Sequence, residues 1–439
     1  MSSLHFLRSL NSGSAAAAAA VALLASAASA GVPFAFGTNL ATATRPSGAA
    51  IGDFNRDGRN DVAVTVDTQD RIAIYLGNGD GTFSLNQSIQ TGNGTGPDGL
   101  IAADIDGDLS PDLIVALHNS NTVRSYMNGG TGNFAVGSNV ATGADPSSIS
   151  GFDLDGDGDM DFATANRDGN NVTVIRNSGG ALALVGNVAS GGAEPRGVAS
   201  GDFDRNGTVD LAVTNHDSRS ISILNGAGGL TYTLGATLSV PASTRPDGIA
   251  SGDLDGDGDI DLAVAISDDA FNVVSVYSNN GGTFTGPVSF NSGGLNPSHI
   301  ALSDLDLDGL LDVVVANEDS GNIGILRSTT SAGAISLGAA MVIVTGAHPE
   351  QFSIGDLDGD RVLDIAVPNR DANTTTILLN STTPSCRADY NNSGSVTVQD
   401  IFDFLRAYFA NNIAADFNGR DGVSLQDVFE FLIAYFAGC

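Results

Sequence analysis

The chain has 439 residues, of which 50 are acidic and 18 are basic, so its formal net charge is −32. Lysine and tryptophan are both absent, and every basic residue is therefore an arginine. An acidic excess of this size argues against nucleic acid as a partner and favours a role in solubility or in cation binding.

Residues 1–30 have the features of a secretory signal. Arg8 precedes an apolar run from Ala15 to Leu24, and Ala28 and Ala30 give the small-residue spacing of a cleavage site. An alanine-rich low-complexity tail is the alternative interpretation. No later segment contains 18 uninterrupted apolar residues, so we expect a secreted, soluble monomer without a transmembrane segment.

An acidic motif with the pattern Asp-x-Asp-x-Asp-Gly-x-x-Asp recurs seven times along the chain. Successive copies lie 49 to 52 residues apart, and a proline stands seven residues before each of them. The copies begin at Asp53, Asp104, Asp153, Asp202, Asp253, Asp304 and Asp356. Such regular spacing predicts a repeat architecture, in which each unit buries its apolar face only against its neighbours.

Each repeat contains four short strand-like runs separated by glycine, asparagine and aspartate turns. In the first repeat these include Asp61 to Val66 and Arg71 to Leu76, followed by the glycine-rich turn Gly77 to Gly81. The second run of each repeat is almost continuously apolar, which is typical of a strand buried on both faces. Seven radially repeated units of four antiparallel strands predict an all-β, seven-bladed propeller over residues 31–380.

The two ends of the repeat array predict how the ring closes. The last repeat stops at Asn380 without a fourth strand, whereas residues 33–42 resemble the fourth strand of the second repeat at 132–142. The N-terminal strand would then complete the seventh blade and remove an open sheet edge. An open solenoid is the competing topology, and it would leave this strand without a partner.

The residue types of the motif suit a calcium ion, which takes six to eight oxygen ligands. Positions 1, 3, 5 and 9 offer side-chain oxygens, and glycine at position 6 permits a sharp turn. The predicted side-chain ligands are Asp53, Asn55, Asp57 and Asp61; Asp104, Asp106, Asp108 and Asp112; Asp153, Asp155, Asp157 and Asp161; Asp202, Asp204, Asn206 and Asp210; Asp253, Asp255, Asp257 and Asp261; Asp304, Asp306, Asp308 and Asp312; and Asp356, Asp358, Asp360 and Asp364. Position 7 offers a backbone carbonyl, as at Arg59, Asp159, Thr208, Asp259 and Leu310.

The seven copies differ in ways that bear on calcium. Asn55 and Asn206 each replace an aspartate, which keeps an oxygen and removes a charge. Leu109 and Arg361 stand where the second and seventh copies need their turn glycine, so we expect weaker or absent calcium there. The propeller would thus bind five to seven Ca²⁺ ions, while an Asp/Gly turn without metal is the alternative for any single copy.

A family resemblance supports this interpretation. The segment Gly-Asp-Phe-Asn-Arg-Asp-Gly-Arg-Asn-Asp at 52–61, followed by a valine-rich strand, resembles an FG-GAP or VCBS repeat. That repeat is similar to the units of the seven-bladed propeller of integrin α subunits, and the resemblance covers residues 33 to about 380. It implies calcium in the hairpins between the first and second strands of each blade, and it implies no particular ligand.

After a linker at 381–385, residues 386–439 contain a duplicated segment. Each half runs from an aspartate at position 1 to an aspartate at position 12, as an EF-hand loop does, and leads into an amphipathic helix. These features predict a small all-α, EF-hand-like domain with one or two calcium ions. The predicted ligands are Asp389, Asn391, Ser393, Ser395 and Asp400 in the first loop and Asp416, Asn418 and Asp427 in the second. Arg420 occupies the fifth position of the second loop, which puts its metal in question.

This C-terminal segment resembles a dockerin, in particular the bacterial type that ends in Gly-Cys, as Gly438 and Cys439 do here. The resemblance implies docking to a cohesin-like partner or to the cell envelope, and Phe402 and Phe429 are candidates for the docking surface. Cys386 and Cys439 bracket the segment, and outside the cytosol they would form a disulfide. Two free thiols are the alternative.

The sequence offers no catalytic constellation, so we expect a binding protein rather than an enzyme. Variable polar residues follow the second strand of each blade, on the face opposite the acidic loops, and form a possible partner face: His118, Arg167, His216, Glu318 and Arg370. They could equally be ordinary solvated loop residues. The leading hypothesis is a calcium-stabilised binding or adhesion module for an extracellular protein or glycan, and the alternative is an extracellular polysaccharide-degrading enzyme.

Overall fold

A computed structural model describes residues 34–267, 272–330, 333–382 and 397–409, together with residues 428, 429, 431, 432 and 435. The predicted signal segment lies outside these residues. So do Cys386 and Cys439, with their predicted disulfide, and every predicted C-terminal calcium ligand except Asp400.

The described residues form seven four-stranded antiparallel sheets, in which strands that follow one another in sequence are neighbours. The first three sheets comprise β2 Pro46–Gly52, β3 Asp61–Val66, β4 Arg71–Gly77 and β5 Phe83–Gln90; β6 Pro97–Ala103, β7 Asp112–Leu117, β8 Thr122–Asn128 and β9 Phe134–Ala141; and β10 Pro146–Phe152, β11 Asp161–Asn166, β12 Asn171–Arg176 and β13 Ala183–Ala189. The next three comprise β14 Pro195–Gly201, β15 Asp210–Asn215, β16 Ser220–Gly226 and β17 Tyr232–Ser239; β18 Arg245–Gly252, β19 Asp261–Ser267, β20 Val273–Asn280 and β21 Thr283–Asn291; and β22 Pro297–Ser303, β23 Asp312–Asn317, β24 Asn322–Leu326 and β25 Met341–Val344.

The seventh sheet joins the two ends of the propeller. It contains β26 Ser353–Gly355, β27 Asp364–Asn369, β28 Thr374–Asn380 and, at its outer edge, β1 Phe34–Ala41. β1 runs antiparallel to β28, with Phe34 opposite Asn380 and Ala41 opposite Thr374. The N-terminal strand therefore supplies the fourth strand that the last repeat lacks.

The apolar core is divided among the boundaries between sheets. Seven clusters of buried side chains occupy the described propeller, and each cluster draws on two neighbouring sheets. One of them combines Leu40, Val62 and Ile377, which belong to the seventh and first sheets. The ring is thus closed by packing as well as by strand pairing, and the prediction of a seven-bladed, all-β propeller is confirmed.

The first strand of each sheet lies closest to the axis, and glycine lets these strands approach one another. A Cβ atom added at Gly99 would lie 2.2 Å from the carbonyl oxygen of Ser147 in the next sheet, and one at Gly248 would lie 2.3 Å from the carbonyl oxygen of Ser298. No side chain fits at such a distance, so these glycines permit the contact between neighbouring first strands.

The described C-terminal residues include the helix α1 Val398–Phe409. Thr397 precedes it, and the Asp400 carboxylate accepts hydrogen bonds from the Thr397 nitrogen at 2.7 Å and hydroxyl at 3.0 Å, as in a capping box. Phe404 stacks on Phe431 with ring centroids 4.2 Å apart. The remainder of the predicted EF-hand-like domain lies outside the described residues, and none of the helical segments within them combines the length and apolar character of a membrane span.

Candidate functional site

An acidic hairpin connects the first and second strands of every sheet. In the first sheet Gly52 pairs with Asp61, so the hairpin lies between them at one end of the sheet. Asp53 shapes this loop, because its Oδ1 accepts a hydrogen bond from the Asp57 nitrogen at 3.1 Å and its Oδ2 accepts one from the Gly58 nitrogen at 2.8 Å. Six other predicted loops begin at the corresponding aspartate.

The structure brings predicted ligands together in the second, third and fourth hairpins. Carboxylate oxygens of motif positions 1, 3 and 9 lie within 4.8 Å of one another in the third and fourth loops, and those of positions 1, 3 and 5 do so in the second. The residues concerned are Asp153, Asp155 and Asp161; Asp202, Asp204 and Asp210; and Asp104, Asp106 and Asp108. Clustered carboxylates of this kind provide the all-oxygen donor set that calcium prefers.

Leu109 and Arg361 adopt the glycine conformation that their loops require. Their φ angles are 70° and 71°, in the left-handed region, and glycine at the equivalent position of the third loop, Gly158, has a φ of 92°. The Leu109 nitrogen donates to Asp104 Oδ2 at 2.8 Å, and the Arg361 nitrogen donates to Asp356 Oδ2 at 3.0 Å. The second and seventh loops therefore keep the shape of the others at the cost of backbone strain.

The aspartate at position 9 of each hairpin also accepts structural hydrogen bonds from the backbone, a role that the sequence motif does not reveal. Asp261 has no exposed surface, and each of its carboxylate oxygens accepts a backbone hydrogen bond, from Asn279 at 2.8 Å and from Leu254 at 2.8 Å. The same two bonds, to the end of the third strand and to loop position 2, occur in every blade. The residues involved are Asp61, Asp112, Asp161, Asp210, Asp312 and Asp364.

Burial makes the charge of these carboxylates costly. It raises the pKa of Asp61, Asp112, Asp161, Asp261 and Asp312 to about 6, and the pKa of Asp364 to about 7. The neighbouring loop carboxylates add to the effect in each case, because like charges disfavour ionisation. A divalent cation in the hairpin would remove this penalty.

Arginines that the sequence motif does not reveal also reach the hairpins. Arg176, from the end of β12, contacts Asp155 at 3.2 Å and Asp157 at 2.9 Å in its own blade. Arg56 and Arg205, each at the fourth position of a loop, contact the hairpin of the following blade. These guanidinium groups offset part of the negative charge of the loops.

A cavity of about 990 Å³ lies at the axis. Because Pro46 pairs with Val66, residues before each proline and after each second strand lie at the end of the sheet opposite the hairpins. The charged and histidine side chains that line the cavity are Arg45, Asp67, Asp98, His118, Arg167, Arg196, Asp247, His299, Glu318, Glu350 and Arg370. Four of the five predicted partner-face residues, His118, Arg167, Glu318 and Arg370, are among them, whereas His216 is not.

At the cavity end, six of the described blades share a backbone pairing that the sequence motifs do not reveal. The residue after the second strand donates its backbone nitrogen to the carbonyl of the residue before the proline, as Arg167 does to Asp145 at 2.9 Å. In the third and sixth blades the two side chains also meet: Arg167 Nε lies 3.0 Å from Asp145 Oδ2, and Asn296 Nδ2 donates to Glu318 Oε2 at 3.1 Å. Complementary side chains at a constant separation of 22 residues are the signal that could have revealed this pairing.

Several carboxyl groups of the cavity lie in surroundings that disfavour their charge. Burial raises the pKa of Asp98, Glu318 and Glu350, and for Glu350 the negative charge of Glu318 adds to the shift. Arg370 contacts Glu350 at 3.0 Å and His348 lies 3.3 Å from Glu318. The cavity thus holds carboxyl groups and guanidinium groups side by side, which suits recognition of a polar ligand.

The fold and the hairpins together define a class of protein, a seven-bladed propeller with an acidic loop in each blade. Six overlapping segments of this chain match the model of the FG-GAP-like repeat, at residues 53–115, 108–164, 153–213, 202–264, 253–315 and 304–367. These segments cover more than half of the sequence, and the chain belongs to the FG-GAP-like repeat family.

A similar curated protein is integrin alpha-IIb of Mus musculus, which is 35% identical to this chain over 100 residues. The match covers 20% of this chain and only 10% of the integrin, so it reaches a small part of that protein. It agrees with the predicted likeness to integrin α subunits at the level of the repeat.

Solved structures share the fold at low sequence identity. A putative 6-phosphogluconolactonase from Bacteroides uniformis has a TM-score of 0.55 and 16% identity, with 76% of this chain and 92% of that chain covered. Virginiamycin B lyase from Staphylococcus aureus has a TM-score of 0.52 and 16% identity, with coverages of 79% and 99%. A periplasmic gluconolactonase from Pseudomonas aeruginosa has a TM-score of 0.51 and 19% identity, with coverages of 70% and 87%. Likeness at this level concerns the architecture alone.

Proposed function

We propose that this protein is a secreted, calcium-stabilised binding or adhesion module that takes an extracellular protein or glycan at the cavity end of its propeller. The proposal rests on the contrast between the residues at the two ends of each blade. A nearly uniform acidic hairpin occupies one end of the sheet, and the charged side chains that line the cavity from the other end differ from blade to blade. Uniform residues suit a structural role, and variable residues on a rigid scaffold suit recognition.

Calcium is the stabilising partner in this proposal. The second, third and fourth hairpins supply carboxylate oxygens that lie close together, and burial of the ninth aspartate disfavours a metal-free, fully charged loop. A ligand that binds only the folded state raises the melting temperature by mass action. Thermal unfolding in millimolar calcium, in chelator, and in chelator with magnesium tests this step, and equal melting temperatures in the three conditions would contradict it.

Recognition at the cavity calls for a comparison of matched variants. Labelled, calcium-loaded protein would be screened against arrays of extracellular proteins and glycans, and each positive ligand would then be measured with two variants. Arg370→Gln removes a guanidinium from the cavity wall, whereas Leu85→Ser changes an exposed residue on an outer strand. We expect only the first variant to lose binding. A ligand that is equally sensitive to the outer-strand variant would place recognition elsewhere.

Secretion and attachment complete the proposal. Export would remove residues 1–30, and the N-terminal sequence of the exported protein, beginning at Gly31, would show it. Residues 386–439 would dock to a cohesin-like partner or to the cell envelope. The exposed side chains of Phe402 and Phe429, at 59% and 54%, support a docking role. Retention on the cell envelope should fall in a Phe402→Ser/Phe429→Ser variant, and unchanged retention would contradict this part.

An extracellular polysaccharide-degrading enzyme is the second candidate, and one observation favours it. A general acid needs a carboxyl group that remains protonated near neutral pH, and burial raises the pKa of Glu350 in the cavity well above its usual value. Turnover of a polysaccharide panel by the calcium-loaded protein, lost in Glu350→Gln, would support this candidate over the binding module.

A further inference from the structure

A cluster of three potential ligands lies beside the cavity in the fourth sheet, apart from the acidic hairpins. His216 follows β15, Glu194 precedes β14, and Asp217 is the next residue after His216. One ligand atom from each of the three side chains lies within 4.8 Å of the others. The hairpin of the same blade, which ends at Asp210, lies at the opposite end of β15, so the two sets are distinct.

Backbone hydrogen bonds hold this cluster in place. The His216 nitrogen donates to the Glu194 carbonyl at 3.0 Å, and the Glu194 nitrogen donates to the side-chain oxygen of Asn170 in the third sheet at 2.8 Å. Glu194 itself has a φ of 55°, a left-handed conformation that is unfavourable for a non-glycine residue. The same conformation and backbone bond recur at Arg45, Asp145, Asn296 and His348, so the repeat itself fixes the positions of Glu194 and His216.

The imidazole of His216 points to a missing partner. His216 is only 7% exposed, and its buried Nδ1 atom has no hydrogen-bond partner within the described part of the chain. The nearest carboxylate oxygens are Glu194 Oε2 at 3.5 Å and Asp217 Oδ1 at 3.6 Å, which is longer than a nitrogen–oxygen hydrogen bond. A buried, unsatisfied ring nitrogen is costly, so it calls for an explanation.

The spacing of these atoms fits a metal ion. Nitrogen and oxygen ligands of zinc lie about 2.0–2.2 Å from the metal, so two ligands in a tetrahedral arrangement lie about 3.4 Å from each other. The observed separations of 3.5 and 3.6 Å from His216 Nδ1 are close to that value. The same atoms are too far apart for good hydrogen bonds and near enough to share one ion.

The surrounding arginines leave one carboxylate oxygen of Glu194 free for such an ion. Arg196 donates to Glu194 Oε1 at 2.7 Å, which leaves Oε2 directed towards His216. Arg245 contacts Asp217 Oδ1 at 3.0 Å, and this is the oxygen that lies 3.6 Å from His216 Nδ1. The ion would therefore share this oxygen with Arg245 or take the second oxygen of the Asp217 side chain, which is 51% exposed. Arg196 also contacts Asp247 of the cavity at 2.8 Å, so an ion in the cluster would lie one side chain away from the cavity.

We propose that His216 Nδ1, Glu194 and Asp217 bind a divalent transition-metal ion of the zinc class, with water completing its coordination. Imidazole and carboxylate together suit zinc and its neighbours, whereas calcium prefers oxygen ligands alone. This site is independent of the calcium sites of the proposed function.

Titration of the full chain with Zn²⁺ by calorimetry, in millimolar calcium so that the hairpins are saturated, tests the proposal. The wild-type chain should bind one equivalent that His216→Ala loses. The matched control is His348→Ala, which removes the histidine of the other histidine–carboxylate cluster, formed with Glu318 and Glu350, and should keep that equivalent. Equal zinc stoichiometry in the wild type and His216→Ala would overturn the proposal.

Two further measurements keep the test decisive if His216→Ala fails to fold. Asp217→Asn alters an exposed side chain, so it should fold normally and bind Zn²⁺ more weakly than the wild type. Crystals soaked in Zn²⁺ should show anomalous density within bonding distance of His216 Nδ1. Wild-type affinity in Asp217→Asn, together with no density at His216, would refute the site while leaving the calcium proposal untouched.

Discussion

Asn128 donates a hydrogen bond from its side-chain nitrogen to the backbone carbonyl oxygen of Phe54, 2.8 Å away, and so joins the second sheet to the acidic hairpin of the first. The same amide donates to Pro111 at 3.1 Å and accepts from the Gly130 nitrogen at 3.1 Å. Equivalent bonds between blades run from Asn177 to Ile105, from Asn279 to Phe203 and from Asn380 to Leu305.

Replacement of Asn128 by alanine should destabilise the propeller, because it removes a donor from the buried Phe54 carbonyl and from the half-buried Pro111 carbonyl. The Phe54 carbonyl keeps its bond from the Gly132 nitrogen. We expect the free energy of unfolding in urea to fall by about 1–3 kcal/mol. Asn133→Ala, which removes an exposed side chain bonded only within its own turn, is the control and should change it by less than about 0.5 kcal/mol. Equal losses in the two variants would show that the bond across the blade boundary contributes nothing.

The ninth aspartate of a hairpin should behave differently from the fifth. Asp261 accepts two backbone hydrogen bonds in a fully buried position, whereas Asp257 lies exposed in the loop. Asp261→Asn turns one acceptor oxygen into a donor that faces a backbone nitrogen, so it should cost about 2 kcal/mol or more even in chelator.

Asp257→Asn is the matched change at an exposed position, where the carboxylate accepts one backbone hydrogen bond, from Asp259 at 2.8 Å, that an amide oxygen can keep. Its melting temperature should fall relative to the wild type in calcium but not in chelator, because only the metal requires the lost charge. Differential scanning calorimetry of both variants in the two buffers makes the comparison. If Asp261→Asn matched the wild type in chelator, the ninth aspartate would be a metal ligand and nothing more.

The sequence predicted the blades well because two independent periodicities agreed. The acidic motif recurred at a nearly constant interval, and a buried apolar strand such as Asp112–Leu117 followed each copy. The likeness of residues 33–42 to a fourth strand also led to the N-terminal strand, which the structure pairs with β28. Because the same pattern occurs in seven repeats, an uncertain strand assignment in one repeat is corrected by the others.

The hydrogen bonds from asparagine side chains to the neighbouring blade could not be predicted from the sequence. Phe54 and Asn128 are 74 residues apart, and the asparagine has no counterpart in some blades, such as Gly77 in the first and Ser328 in the sixth. The unpartnered nitrogen of His216 is also invisible in sequence, because it depends on side-chain rotamers and on burial by the neighbouring blade. Residues that differ between repeats carry no periodic signal, and the charged side chains that line the cavity are residues of this kind.

Leu109 offers a test of strain in the second hairpin. Its φ of 70° is unfavourable for any residue with a Cβ, and its side chain is 83% exposed, so little packing would be lost on removal. Leu109→Gly should raise the free energy of unfolding by about 1 kcal/mol, because relief of the left-handed strain exceeds the entropy cost of glycine. It should also strengthen calcium binding by the second loop, measurable by calorimetry.

The reverse substitution in the third hairpin is the control for Leu109→Gly. Gly158 has a φ of 92°, and a Cβ added there would meet no atom within 4 Å, so Gly158→Leu adds strain without a steric clash. It should lower the free energy of unfolding by about 1 kcal/mol. If the free energy of unfolding changed in the same direction in both variants, left-handed strain at this position would not determine the stability of these loops.

His299 predicts how stability depends on pH. Its ring lies at the cavity and packs edge-to-face on Phe352, with centroids 4.6 Å apart. Burial lowers the pKa of His299 from 6.5 to about 4, because the charged imidazolium is poorly solvated there. Below pH 6.5 the imidazole of His299 therefore binds a proton in the unfolded chain but not in the folded chain. The free energy of unfolding, which is highest above that pH, falls as the pH decreases towards 4.

A variant isolates this contribution from the aspartates that titrate in the same range. His299→Leu keeps an apolar contact with Phe352 and removes the titrating group. Urea unfolding in saturating calcium at pH 7.5 and pH 5 should show that the wild type loses roughly 2 kcal/mol more than the variant between the two conditions, since each unit of pKa shift corresponds to about 1.4 kcal/mol. Parallel losses would mean that the imidazole is protonated freely in the folded protein, and that water fills this part of the cavity.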